Sequence, residues 1–103
     1  MNQSQIGVAH AVPAWEDWIR RGWEVYLPTL HGSLYRVIAE ASGVWVYRVW
    51  SRNTPGTLKA EGVSWKVFRG GDGHWYFQTF SANGEQTFRS SPVLNDKAYS
   101  PNL

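Results

Sequence analysis

The side chains with the most chemistry to offer are arginines and polar groups set among large aromatics. Arg48, Trp50 and Arg52 form one such stretch, and His74, Tyr76, Gln78 and Phe80 form another. Guanidinium groups and ring faces together can stack on bases and neutralise phosphates, each stacked base contributing on the order of 1–3 kcal/mol. The same residue types dominate the hot spots of protein interfaces. Of the ten cationic residues seven are Arg, which favours planar, bidentate contacts over a diffuse lysine field.

Catalytic patterns are harder to find. A nucleophile needs a neighbouring base and an oriented third group. Ser42, Ser51, Ser81, Ser90 and Ser91 all fall in turn-like contexts, and none lies in a G-x-S-x-G elbow. Glu24, Glu40, Glu61 and Asp72 read as strand-edge or turn carboxylates rather than an acid–base pair. His10, His31 and His74 lack the spacing of a zinc site and read as exposed turn residues. Gly70-Gly71-Asp72-Gly73 runs into His74-Trp75-Tyr76, a strand, whereas a phosphate-cradling loop runs into a helix. The expectation is a chain without catalytic residues, metal or cofactor, and not an enzyme.

The 103 residues, with 43% hydrophobic and 16% aromatic composition, suffice for one domain with a real core. There is no Cys, so neither a disulfide nor a thiolate metal site can form. Nothing approaches the roughly 18 apolar residues in a row of a membrane helix. The opening MNQSQIGVAHAVPAWEDW has neither the basic nor the apolar segment of a signal peptide, so the expected location is the cytoplasm. A net charge of +2 permits a nucleic-acid partner without demanding one.

These residues need elements to hold them. Residues 1–12 read as a loosely ordered leader, and Pro13–Gly22 as a short helix. Pro13 suits the first turn, Glu16 and Asp17 the positive end, Arg20 and Arg21 the negative end, and Gly22 the stop. Trp15, Trp18 and Ile19 make one apolar stripe. From there strands are predicted at Trp23–Leu27, Leu34–Glu40, Val44–Trp50, Thr57–Ala60, Ser64–Arg69, His74–Phe80 and Glu85–Arg89, each followed by a turn signal. Asn53-Thr54-Pro55-Gly56 is one of those breaks, and Asn83-Gly84 suggests a two-residue type I′ hairpin. Residues 92–103 read as an extended tail, leaving 13–91 as a single β-rich domain.

Residues 36–53 and 66–83 form an internal repeat: Gly43 aligns with Gly73, Trp45 with Trp75, Tyr47 with Phe77 and Asn53 with Asn83. The expected fold class is therefore mainly β (α+β). A short N-terminal helix packs on an antiparallel meander of six or seven strands, made of two related three-stranded units. Within the repeat, Trp45, Tyr47 and Val49 and their counterparts Trp75, Phe77 and Thr79 are assigned to the core. The opposite faces mix aromatics with Arg48, His74 and Gln78, to be covered by the helix or by a partner.

Residues 65–91 resemble one repeat of the YegP-like family of small bacterial proteins, through Val67, Phe68, Asp72-Gly73, Trp75-Tyr76-Phe77, Ala82-Asn83-Gly84-Glu85 and Ser90-Ser91. The resemblance implies a strand, an Asp-Gly turn, an aromatic strand, an Ala-Asn-Gly-Glu turn and a third strand. The family places a helix after that strand, where this chain has Pro92 and a polar tail.

Two functions follow as expectations. The first is a non-catalytic binding protein that docks on a protein partner through Arg48, Trp50, Arg52, His74, Tyr76, Gln78 and Phe80. A small phage or mobile-element inhibitor of a bacterial defence complex fits that description. The second is binding of single-stranded nucleic acid on the same mixed face. Exposed edge strands would also permit pairing into a homodimer.

Overall fold

The computed structural model describes residues 12–52 and 56–103. The leader, up to residue 11, and the 53–55 portion of the predicted Asn53–Gly56 turn lie outside the described residues.

Helix α1 (Ala14–Arg20) starts at Pro13, whose φ of −66° already suits helix entry. Its charges complement the helix dipole and pair along the helix: Arg20 with Glu16 at 3.0 Å and Arg21 with Asp17 at 2.7 Å. Being exposed, these pairs contribute only about 0.3–0.5 kcal/mol each. Gly22, at φ 80°, ends the helix as expected: its N–H donates to Ile19 O and that of Trp23 to Trp18 O, a Schellman closure.

Seven strands follow: β1 (Val25–Pro28), β2 (Ser33–Glu40), β3 (Gly43–Ser51), β4 (Thr57–Gly62), β5 (Ser64–Arg69), β6 (Trp75–Phe80) and β7 (Gln86–Arg89). All neighbours are antiparallel, but they form two sheets, β1-β2-β3-β4 and β5-β6-β7, rather than one meander. The chain changes sheet at Gly62-Val63. Val63 N–H donates to Phe80 O at 2.8 Å, and a Cβ on Gly62 would lie 2.7 Å from that same oxygen. Only glycine lets the backbone pass so close.

The sequence repeat does not divide the fold into equal units; one copy lies in a four-stranded sheet and the other in a three-stranded one. Their registers also differ. Arg36 sits opposite Tyr47, so a strict repeat would set Lys66 opposite Phe77, yet Lys66 faces Gln78. Two residues, Ala41 and Ser42, separate β2 from β3, whereas Gly70–His74 separate β5 from β6. A one-residue slip inverts which side chains share a face.

The assignment of Trp45, Tyr47 and Val49 to the core is accordingly overturned. Val46 lies opposite Val37 and Val44 opposite Ala39, and all four are buried. Trp45 and Tyr47 are half-buried on the outer side, and Val49 is exposed. In β6 the assignment holds for Phe77 and Thr79, both fully buried, while Trp75 is half-buried. The inner faces of the two sheets form one core, with Tyr35 edge-on to Phe88 at 5.1 Å. Helix α1 adds Trp15 and Ile19 to that core, Trp15 lying edge-on to Phe77. It packs against β1 and β2 from the core side and does not cover the mixed outer surfaces.

Three hairpin loops share one form. Thr29–Ser33, Gly70–His74 and Ser81–Glu85 each close an i to i+3 hydrogen bond onto a glycine at φ 85–86° (Gly32, Gly73, Gly84). Asn83-Gly84 is thus the end of a three-residue loop with a left-handed glycine, and not a two-residue type I′ turn.

The C-terminal segment is docked on the rest of the fold. Val93 is buried and bridges Thr29 and Trp75, and Tyr99 bridges Tyr26. Asn95–Lys97 form a 3₁₀ turn between them. Ser100 Oγ donates to Glu24 O at 2.5 Å. No described helix is long and apolar enough to cross a membrane.

Candidate functional site

The predicted binding residues fall into two groups that the fold separates. Arg48 and Trp50 lie in the second half of β3 in the larger sheet and Arg52 just after it, while His74, Tyr76, Gln78 and Phe80 belong to β6 and its loop in the smaller one. Since the inner faces pack together, the outer faces point apart, and no single surface carries all seven.

The smaller sheet presents Phe68, Tyr76 and Phe80 outward, but covers them with its own side chains. Tyr76 stacks on Phe68 at 5.2 Å, and the Arg89 guanidinium lies 4.8 Å above its ring. It is only 8% exposed, so the expectation that Tyr76 offers a free contact is corrected. Lys66 Nζ sits 5.9 Å from the Phe68 ring and 5.8 Å from that of Phe80. Gln78 donates through Nε2 to Gln86 Oε1. His74 is exposed, and its backbone N–H donates to Asp72 Oδ1 at 2.9 Å. The Tyr76 hydroxyl donates to the other Asp72 oxygen. That bond, followed by the one from His74, holds the Asp72 carboxyl below its ordinary pKa, and the same hydroxyl–carboxylate bond raises that of Tyr76.

The larger sheet is more open. Its register lines up Tyr26, Arg36, Tyr47 and Leu58 as a row across all four strands. Tyr99 stacks on the end of this row, 4.9 Å from Tyr26 and nearly parallel to it. The Arg36 guanidinium lies over the Tyr47 ring at 4.5 Å, and one of its Nη atoms is 3.6 Å from Glu24. The Tyr26 hydroxyl donates to the same carboxylate at 2.7 Å, which, with burial, raises the tyrosine pKa.

Beside this row is a cavity of about 360 Å³ lined by Tyr26, Arg36, Tyr47, Arg48, Val49 and Leu58, among others. The Nε atoms of both Arg36 and Arg48 are closed off from solvent and have no hydrogen-bond partner. A buried donor left in that condition costs about 1–3 kcal/mol. Arg36 is the cation of this face, and Glu24 offsets its charge; Arg48 stands opposite the buried Tyr35, on the core side of β3. The cavity's apolar lining is open to solvent, Leu58 being 51% exposed, and outside that lining Trp50, which pairs with Leu34 beyond the β3 bulge, is 53% exposed.

The carboxylates weighed for catalysis are mostly engaged elsewhere. Glu61 accepts from Trp45 Nε1 at 3.2 Å, Glu24 holds Tyr26 and Arg36, and Asp72 holds Tyr76 and His74. A larger groove of about 420 Å³ beside Glu40 at the end of α1 is lined by Arg20 and Arg21, which are already paired. Among the described residues no three His, Cys, Asp or Glu side chains gather as metal ligands would.

Sequence reasoning missed Tyr26, Arg36, Tyr47, Leu58 and Tyr99. A signal for the face was present: the two-residue Ala41-Ser42 connection places Val44 and Val46 opposite Ala39 and Val37, leaving Trp45 and Tyr47 outside. No family model, curated protein or solved structure matches this chain, and its function rests on the site's own geometry.

Proposed function

We propose that this chain is a non-catalytic binding protein that docks on a protein partner through the outer face of its four-stranded sheet. The observation that carries this reading is the Tyr26–Arg36–Tyr47–Leu58 row on the outer face, with Leu58 and the neighbouring Trp50 each more than half exposed. Tyr, Trp and Arg are the side chains that anchor protein interfaces, and they stand here on rigid strands rather than loops. A chain of this kind acts by occupancy, as an inhibitor of a larger assembly such as a bacterial defence complex would.

The test is affinity capture from a bacterial lysate with wild type and a Trp50→Ala/Leu58→Ala double variant, read by mass spectrometry. A partner held by wild type and lost by a variant of unchanged thermal midpoint supports the proposal. A partner held equally by both removes it.

A second reading is single-stranded nucleic-acid binding on the smaller sheet, where Phe68 and Phe80 are half-buried beneath Lys66 and Arg89. Rings under cations are the parts of a base-stacking platform. Gel-shift titration at two salt concentrations discriminates: binding that weakens steeply with salt favours it, and no binding at low salt removes it.

A further inference from the structure

We propose that the chain pairs with a second copy of itself along the free edge of β5, joining the two smaller sheets into a continuous one. The pairing uses no residue of the larger sheet's outer face, so it stands apart from the docking reading.

Backbone phase decides which groups of β5 are available. Gly70 N–H donates to His74 O at 2.8 Å, which makes that pair a hydrogen-bonded one. Pairs then alternate, so Ser64, Lys66 and Phe68 bond to β6, while Trp65, Val67 and Arg69 turn their N–H and C=O away from it. On the other side of β6, Phe77 O accepts from Ser90 N–H, as this alternation requires. Among the described residues no strand lies beside the outer edge of β5.

The remaining edges are closed or blunted. The tail takes the β1 edge, where Tyr26 and Tyr99 exchange N–H···O bonds of 2.8 and 3.1 Å. The register of β4 skips Lys59 and that of β7 skips Thr87, and such bulges turn an edge away from a newcomer. Strand β5 alone is uncovered and pairs along its whole length without a shift.

The edge is complementary to itself. An antiparallel pairing with its two-fold axis at Val67 sets Val67 against its own counterpart and Trp65 against Arg69 of the second copy. All the free backbone groups then bond to one another. On the outer face the same register sets Lys66 opposite Phe68 of the second copy. Each cation meets a ring, as already happens within the chain, where Arg20 lies 4.9 Å over Trp65 and Lys66 Nζ lies 5.9 Å from Phe68. Moving the axis to Lys66 sets two lysines face to face and calls on the Val63 N–H, which Phe80 O already holds. Moving it to Phe68 leaves Trp65 opposite Gly71 in the hairpin loop. Because the contact is isologous, it closes at two chains.

Sedimentation equilibrium of the full chain over a dilution series reads the mass, and hydrogen exchange followed by NMR reads the edge amides. The expected result is a mass of two chains, with protection at the Trp65, Val67 and Arg69 amides that falls on dilution. Arg69→Pro removes an edge N–H without touching the β5–β6 ladder, and should weaken the dimer at least about tenfold. The chain has no Cys, so a mixture of Lys66→Cys and Phe68→Cys chains tests the register. These positions should lie about 4.5 Å apart between Cα atoms, and like positions about 7–8 Å apart, so the mixture should oxidise to a cross-linked dimer much faster than either variant alone. A single-chain mass at all concentrations up to about 1 mM overturns the inference. If the edge amides of such a monomer are protected, the edge belongs to a segment of the same chain. A dimer that Arg69→Pro leaves unchanged, or cross-linking no faster in the mixture, overturns it equally.

Discussion

The indole Nε1 of Trp15 donates to Asn95 Oδ1 at 2.8 Å, joining the helix to a tail residue 80 positions away. Trp15 is 1% exposed, so its N–H has no recourse to water. This bond and the burial of Val93 make the tail a structural member of the core rather than an appendage.

Asn95→Ala is expected to destabilise the fold by about 1–3 kcal/mol, because the indole donor is left unsatisfied in the interior. Urea denaturation measures this. An effect within about 0.5 kcal/mol, typical of an exposed surface site, would show that the tie is not made in solution.

Val46→Ala and Trp50→Ala separate the two sides of β3. Val46 is fully buried, and its truncation should cost about 2 kcal/mol. Trp50 is largely exposed, and its removal should change stability by less than about 0.5 kcal/mol despite the far larger side chain. Thermal midpoints in the reverse order would put the tryptophan inside.

Gly62→Ala should destabilise by about 1–3 kcal/mol through the collision of its Cβ with Phe80 O. The strain falls where the chain passes from one sheet to the other. Hydrogen exchange should therefore show weakened protection at Val63 N–H, whose bond ends on that oxygen.

Asp72 and Tyr76 predict a pH signature. The carboxyl pKa is lowered below its ordinary 3.8, so its contribution is complete above that value and lost as pH falls through the folded one. The Tyr76 pKa is raised above 10.0, so its contribution is complete below that value and lost as pH rises through the folded one. Asp72→Asn should flatten both limbs of the stability–pH curve. Acid and alkaline limbs unchanged from wild type would mean that the hydroxyl–carboxylate bond does not bias either titration.

The helix and its stop, the seven strands, and the glycine-bearing breaks that separate them were legible in the chain, because each is a local matter. Proline and glycine limit φ, charges sort along a helix of a few turns, and alternation marks a strand whatever it packs against. Which side of a strand faces inward was another question. It was answered correctly for Phe77 and Thr79 and inverted for Trp45 and Tyr47, since the repeat aligned residue types while hairpin loops of different length set different registers.

The candidate site depended on that inversion. Tyr26, Arg36, Tyr47 and Leu58 are neighbours only because three strand pairings set them abreast, and Tyr99 joins them only because the tail returns to the β1 edge. Composition alone determined that aromatics and arginines would be available in number both for a core and for a contact surface. The tertiary structure decided which went where: short β-branched side chains such as Val44 and Val46 fill the narrow space between two packed sheets, and bulky rings on the same strand are turned outward.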